Sequence, residues 1–534
     1  MREAILIIVF LIVRSTVFAQ SSGENYIRIR QMTNESGSEY IESVRYYDGL
    51  GRHIQTVQCG VTPQGNDLVD YTCYDGAGRP ITQFLPSVSN QNGSFVSLPQ
   101  VKTFSENTYG DSYAYTTIQY EQSDLGRVTN QFRPGSAWQS TAHSRKNFYD
   151  LNDSSVPALN CIRYTVAESY TLTDTVMSVK NSGNFPTGSL YVLKSQDEDD
   201  HTVYTFTDSS DKTHLVRRVL DNNTFADTYY VYDLFDNLCA VLSPEASAKM
   251  KTSETTWNSS SPELSELSFL YIYDYLRHCI AKKLPGAAWV LMVNDIGGRL
   301  VYSQDGVQRS RGEWLFILYD DLNRPCVNGI SYNSFDIFND STILFVNHLR
   351  RNNTKNDFLG YEIYLNEFAQ ADGLKNCVPV NPIVLSVNYY DDYSFMGHFG
   401  FPEESSPLMV YEAHDDYGTR YEASARTFLT GTVTALLDRE YFSHSGGTVD
   451  NSTPKYLHSV MYYNDHEECI QKIESNHLGG YDRYYSQYGF TGNLLKQRVV
   501  HTRKNPSHSA GQSPDIDFAG YETISDDVYE YYYD

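Results

Sequence analysis

The chain has 534 residues, with 41 basic against 66 acidic side chains and a net charge of −25. That length exceeds one ordinary core and implies several domains or an extended repeat array. Hydrophobic content of 40% and charged content of 20% exclude a disordered chain, and so acidic a protein repels the phosphates of nucleic acid.

Residues 1–19 read as an export signal. Arg2 gives a positive start, Ile5 to Val13 an apolar run, and Val17-Phe18-Ala19 small residues for cleavage. The run is too short to span a bilayer, and no later stretch approaches that length, so no membrane span is expected. The protein is expected to be exported and, after cleavage, secreted, periplasmic or on the cell surface. Residues 20–39 form a polar lead-in.

From Tyr40 the sequence alternates apolar and polar as a strand does, then reaches Tyr46-Tyr47-Asp48-Gly49-Leu50-Gly51-Arg52. The phrase returns as Cys73-Tyr74-Asp75-Gly76-Ala77-Gly78-Arg79, as Tyr232-Asp233-Leu234-Phe235-Asp236-Asn237 and as Tyr273-Asp274. It returns again as Asn294-Asp295-Ile296-Gly297-Gly298-Arg299 and as Tyr319-Asp320-Asp321-Leu322-Asn323-Arg324. A recurring unit of roughly 20–25 residues with insertions marks an array whose units stack on their neighbours.

Each unit reads as one β-hairpin. Asp opens a type I turn, and a Gly at the fourth place takes the left-handed conformation of the bulge that follows. Asn237 and Asn323 stand in where Gly is missing, since Asn tolerates positive φ. The second strand ends at a proline: Pro86, Pro134, Pro244 and Pro285. Tyr, with 45 copies, suits strands whose rings pack while their hydroxyls reach a backbone group or water.

Repeats of this kind are expected over 40–330, with insertions near 86–115 and 135–225. Gln196 to Asp200 reads as a solvated charged loop, and short helices are expected near Glu245–Lys251 and Glu263–Ser268. Residues 331–384 form an insertion of mixed structure, where Ile343–Leu349 and Tyr361–Phe368 read as strands or alternatively as helix. From 385 to 534 the hairpins continue in degenerate form, at Tyr389-Tyr390-Asp391, Tyr462-Tyr463-Asn464-Asp465 and Gly489–Leu494. The chain stops at Val528–Asp534, which reads as the first strand of a further repeat.

Nothing converges on catalysis, and no catalytic, cofactor-binding or metal-binding residue is expected. Gly110-Asp111-Ser112 lacks the elbow that presents a nucleophilic serine. His444-Ser445-Gly446-Gly447 reads as a turn. Asn464-Asp465-His466-Glu467-Glu468 groups metal-ligand types but sits where a repeat turn belongs. Cysteines 59, 73, 161, 239, 279, 326, 377 and 469 lack zinc-site spacing and read as scattered buried thiols. The recurring residues therefore read as structural: Tyr47, Asp48, Gly51, Arg52, Tyr74, Asp75, Gly78, Arg79, Tyr232, Asp233, Asn237, Tyr273, Asp274, Asp295, Gly298, Arg299, Tyr319, Asp320, Asn323 and Arg324. Asp caps its turn, and Arg pairs with acidic or aromatic neighbours in the next hairpin.

The phrase resembles the YD repeat of rearrangement-hotspot (RHS) proteins, Tyr-Asp-x-x-Gly-Arg-Leu followed by strand and Pro. Val44 to Gln58 is especially similar to the N-terminal repeat of exported bacterial members. The resemblance implies a mainly β fold: stacked antiparallel hairpins in a spiralling sheet, shell-like or solenoid-like. In the family such shells often enclose a C-terminal toxin. The self-cleaving core with its Asp-Pro segment is not found here, so the expectation is a truncated or split, non-enzymatic wall. Its expected partners are a missing core and toxin segment or, if it is instead an adhesin, cell-surface glycans.

Overall fold

The computed structural model describes residues 23–531 apart from 34–35, 37, 140–142, 171–174, 222–223, 253–254, 296, 336–341, 344–347, 365–377, 404, 415, 422–424, 437–454 and 505–520. The expected export signal, His444–Gly447, Cys377 and the last three residues lie outside the described residues. The chain forms two compact units. The first takes Met1–Tyr164, Asn181–Tyr230 and Ser243–Thr255; the second takes Thr165–Lys180, Val231–Leu242 and Thr256–Asp534.

In the first unit the strands pair in chain order, each antiparallel to the last. They are Asn25–Met32, Tyr40–Tyr47, His53–Cys59, Asp67–Tyr74, Pro80–Ser89, Tyr115–Tyr120, Val128–Phe132, Arg145–Leu151, Tyr191–Gln196, Thr202–Thr207, Thr213–Asp221 and Thr224–Tyr232. Period-two alternation selects the inner face: in Tyr40–Tyr47, Glu42, Val44 and Tyr46 are buried while their neighbours are not. Val44, Tyr46, Val57, Val69 and Phe84 form a core with Val96 and Val101 of the 86–115 insertion.

That insertion holds a helix the composition did not announce, Leu98–Tyr109. Its start has Ser97, whose N–H donates to the Gln100 side chain, and Pro99; its end has Gly110 at φ 64°. Pro86 does not end its strand. It sits inside Pro80–Ser89 at a register shift opposite Val69 and Tyr71, where a bulge excuses its missing N–H. The 135–225 insertion also narrows. Arg145–Leu151 pairs directly with Tyr191–Gln196, so residues 191–221 are ordinary sheet members and only 152–190 are inserted. Gln196–Asp200 is accordingly a hairpin turn.

The second unit repeats the plan with Leu238–Leu242, Ser268–Tyr273, Cys279–Lys283, Val290–Asp295, Leu300–Gln304, Trp314–Tyr319, Pro325–Ser331, Ile383–Tyr390, Leu429–Leu436, Lys455–Tyr463, Cys469–Ser475, Tyr481–Tyr488, Leu494–Lys504 and Tyr521–Glu530. A short strand, Thr342–Ile343, adds a parallel pairing to Val290–Asp295. His348–Arg351 pairs with Tyr361–Tyr364, so the described parts of the two ambiguous segments are strands. Phe358, Tyr361, Phe395, Phe401 and Met409 pack onto the sheet residues Val293, Phe316, Val387, Tyr389 and Val433. The insertions of this unit thus supply the layer that covers its sheet. Single helical turns stand near the expected places, at Pro244–Lys249 in the first unit and Pro262–Ser265 in the second.

Both units are mainly β, built from consecutive antiparallel hairpins. At nearly every repeat the pairing slips by one residue just before the turn, as between Tyr46 and Tyr47, Cys73 and Tyr74, Ile272 and Tyr273, and Leu318 and Tyr319. That slip is the bulge the turn sequence predicts.

Candidate functional site

The repeated residues build a two-part clamp. Within a turn, the Gly51 N–H donates to Asp48 O at 3.0 Å and the Asp48 N–H to Arg52 O at 2.9 Å. Asp48 Oδ1 accepts the N–H groups of Leu50 and Arg52, both at 2.9 Å, and Oδ2 accepts Arg52 Nε at 2.6 Å. One carboxylate therefore closes the backbone and fixes its own arginine. The backbone N–H of Arg52, and then its side chain, hold the Asp48 carboxyl below the usual carboxylate range.

Asp75 with Arg79, Asp295 with Arg299 and Asp320 with Arg324 copy this arrangement. In two turns another residue fills the place of Arg. Asn237 Nδ2 reaches Asp233 Oδ2 at 2.8 Å, and His278 Nδ1 lies 3.1 Å from Asp274 Oδ2. Asn237 is thus not the left-handed residue; Asp236 is, at φ 70°, and Arg277 plays that part in the next turn at φ 67°. Asn323 does hold the left-handed place, at φ 62°.

Between hairpins, the same arginine lies over the tyrosine of the next repeat. Arg52 sits 4.7 Å from the Tyr74 ring, Arg79 4.5 Å from Tyr120, Arg299 4.8 Å from Tyr319 and Arg324 4.4 Å from Tyr390. The tyrosine hydroxyl then donates back to the strand after that arginine: Tyr74 to His53 O at 2.6 Å, Tyr120 to Pro80 O at 2.9 Å, Tyr319 to Leu300 O at 2.9 Å. Tyr273 does the same to Leu238 O at 3.0 Å, and burial pushes its hydroxyl up to about 12. The arginine also approaches the next turn. A Cβ on Gly78 would stand 3.0 Å from Arg52 Nη1, and where that glycine is Asn323, Arg299 Nη1 donates to its Oδ1 at 3.0 Å. The glycine is needed twice, for its φ of 82° and for the space.

Several copies escaped sequence reading. Asp197 accepts from the N–H groups of Asp199 and His201, Asp208 from those of Ser210 and Lys212, and Asn476 from those of Leu478 and Gly480. Their fourth residues, Asp200, Asp211 and Gly479, all have positive φ. Glu121 holds Arg127 through a turn two residues longer, and Arg127 lies 4.2 Å over Tyr149. The available signal was Asp, Asn or Glu followed at the fourth place, or the sixth, by a residue that tolerates positive φ. Asn464–Glu468, expected as a repeat turn, is one, with Asn464 Oδ1 accepting from the N–H groups of His466 and Glu468. Asp111 is likewise a loop pin, accepting from the N–H groups of Tyr113 and Ser136 at 2.8 Å.

The first unit holds a buried ion pair outside the repeat scheme. Arg217 Nε and Nη2 donate to Asp227 at 2.8 Å, and its Nη1 donates to the carbonyls of Pro157, Ala158 and Asn160. The two side chains are 3% and 9% exposed. The pair anchors the inserted loop to the sheet. Among the described residues the cysteines form no disulfide, and burial pushes Cys326 up to about 12. Among the described residues no three His, Cys, Asp or Glu side chains converge as metal ligands would. What the repeated side chains do chemically is tie one hairpin to the next.

The family described as a domain of unknown function (DUF6443) matches residues 21–151, the first hairpins of the first unit. No curated protein matches the chain. Among solved structures the chain is similar to TcdB2-TccC3 without its hypervariable C-terminal region, at 12% identity and a TM-score of 0.44, over 92% of this chain and 20% of that one. It is similar also to TcdB2-TccC3-TEV, at 12% identity and a TM-score of 0.39, over 86% and 18%. The chain spans about a fifth of the length of the structures it resembles.

Proposed function

We propose that this chain is a non-enzymatic, exported RHS repeat protein whose sheet forms part of a shell wall or surface scaffold. The observation that carries the reading is the clamp itself. Its Asp, Arg and Tyr side chains are consumed in joining successive hairpins, repeat after repeat, which leaves them to structure and not to a single site. The partner this reading assigns is the core and toxin segment that such walls enclose. Reading the coding sequence downstream of Asp534 and in the neighbouring genes tests it: repeats, a core and a variable domain are expected, and unrelated sequence removes that partner. Export is tested by fractionation and mass. The mature protein is expected outside the cytoplasm without residues 1–19, and a full-length cytoplasmic product overturns it.

A second reading, glycan binding, has one observation in its favour. Phe235, Tyr275 and Phe490 stand exposed at the tips of repeat turns in the second unit, at 67%, 77% and 49%. Aromatic rings held this way offer stacking faces. A glycan array tests it: binding lost on Tyr275→Ala and Phe235→Ala favours this reading, and a blank array removes it.

A further inference from the structure

In the succession of antiparallel hairpins, the first strand of the first unit, Asn25–Met32, and the last strand of the second, Tyr521–Glu530, each have a partner on one side only among the described residues. Neither carries the Pro or Lys that commonly blunts a free sheet edge. Both expose aliphatic side chains, Ile27 and Ile29 on one, Ile524 and Val528 on the other. Their charges are opposite. Asn25–Met32 holds Arg28 and Arg30 and no acid, whereas Tyr521–Glu530 holds Glu522, Asp526, Asp527 and Glu530 and no base.

We infer that these two edges pair with each other between copies of the chain, the last strand of one copy adding to the first strand of the next. The geometry of the charges supports that occupant. On the first strand, Arg28 and Arg30 lie on the face of buried Val44, being opposite Val44 and Glu42. Arg30 Nε donates to Glu42 at 2.6 Å, and Arg28 pairs with the same carboxylate. On the last strand, Asp526 lies opposite Val500, which lies opposite buried Arg483, so Asp526 also points to its sheet's buried face. Arg498 donates to it at 2.8 and 2.7 Å.

An antiparallel addition continues the alternation of both sheets. If it also keeps their buried faces on one side, Tyr26 opposite Val528 sets Arg28 opposite Asp526. A shift of two residues sets Arg30 there instead. Either register interleaves the two existing ion pairs into a row of alternating sign, Glu42, arginine, Asp526, Arg498. The bulge at Ile524, where the pairing jumps from Ser525 to Thr523, blunts the far end and leaves Ser525–Glu530 as the regular stretch. A head-to-tail contact of this kind is heterologous and propagates until it closes or runs out of copies. The inference competes with the shell reading for the last edge, which a further hairpin would take in place of a second copy, so a monomeric wild type overturns the inference and leaves the shell reading standing.

Sedimentation velocity of the full chain over a concentration series tests it. Self-association is expected that weakens with salt. Arg28→Glu with Arg30→Glu, and separately Asp526→Arg with Asp527→Arg, are each expected to weaken it roughly tenfold or more. Mixing the two variants is expected to restore it, because each retains one native edge. Unchanged circular dichroism keeps misfolding out of the comparison. A wild-type chain that stays monomeric overturns the inference. So do variants that associate as the wild type does, or an association lost in only one of the two variants.

Discussion

The guanidinium of Arg52 lies 4.7 Å from the ring of Tyr74, and the hydroxyl of that tyrosine returns to the carbonyl of His53, next to Arg52, at 2.6 Å. One side chain reaches forward and the other back, so two hairpins are joined at one point. The same relation between Arg299 and Tyr319 in the second unit separates its two components cleanly. Tyr319→Phe keeps the ring and loses the hydroxyl bond, at an expected cost of about 1 kcal/mol. Tyr319→Leu also loses the ring beneath Arg299 and is expected to cost about 2 kcal/mol. Native-state hydrogen exchange in the Trp314–Tyr319 hairpin checks the order.

The fourth place of the turn is set by counting from the Asp. Gly78→Ala meets both a φ of 82° and Arg52 Nη1, and is expected to destabilise by about 1 kcal/mol or more. Asp236→Gly relieves a non-glycine at φ 70° and is expected to be neutral or stabilising by up to about 1 kcal/mol. Asn237→Gly relieves nothing and loses the 2.8 Å bond to Asp233, so it is expected to destabilise. Thermal melts of the three variants give the signs.

Arg217 and Asp227 form a buried pair, and losing one partner strands the other. Asp227→Leu is expected to cost about 3–5 kcal/mol, and Arg217→Met with Asp227→Leu together less, the remainder coming from the carbonyls of Pro157, Ala158 and Asn160 that lose Arg217 Nη1. Chemical unfolding followed in the first unit measures both. Equal losses in the single and double variants would count against a paired role.

Acid weakens the clamps. The carboxyls of Asp48 and Asp75 are lowered first by the backbone N–H of their arginines, that of Asp391 by the side chain of Arg324, and Glu121 is pulled down to about 2 by the side chain of Arg127. Folded values below the unfolded ones give stability that is full above about pH 4 and lost as pH falls through the folded values. A pH series of melting temperatures is expected to fall gently below about pH 6.5, where unfolding lets the buried His458 take up a proton, and steeply below the unfolded carboxylate range. A melting temperature that holds down to pH 2 would contradict this.

The hairpin plan was legible because its causes are local: Asp at the first place, Gly or Asn at the fourth, and a bulge fixed by both. Reading the type of residue in place of its distance from Asp233 misplaced the left-handed position onto Asn237. Asp197, Asp208 and Asn476 were missed because their turns lack the flanking Tyr and Arg, although the turn chemistry is the same. The link from Arg52 to Tyr74 joins different hairpins, so it was expected only in kind; which ring each arginine meets depends on register. Residues 191–221 read as an insertion because their phrase is absent, while their strand pairing is intact. Pro86 misled for a related reason, since a proline at a bulge does not end a strand.

The central claim is that the repeated Arg and Tyr act together to join hairpins. A double-mutant cycle on Arg299 and Tyr319 tests it most directly, with Arg299→Met, Tyr319→Leu and the pair. The readout is the local opening free energy of the Leu300–Gln304 and Trp314–Tyr319 strands by native-state hydrogen exchange. The account predicts a coupling of about 0.5–1 kcal/mol between them. Strictly additive losses would show that the two side chains stabilise the sheet separately and would contradict the clamp.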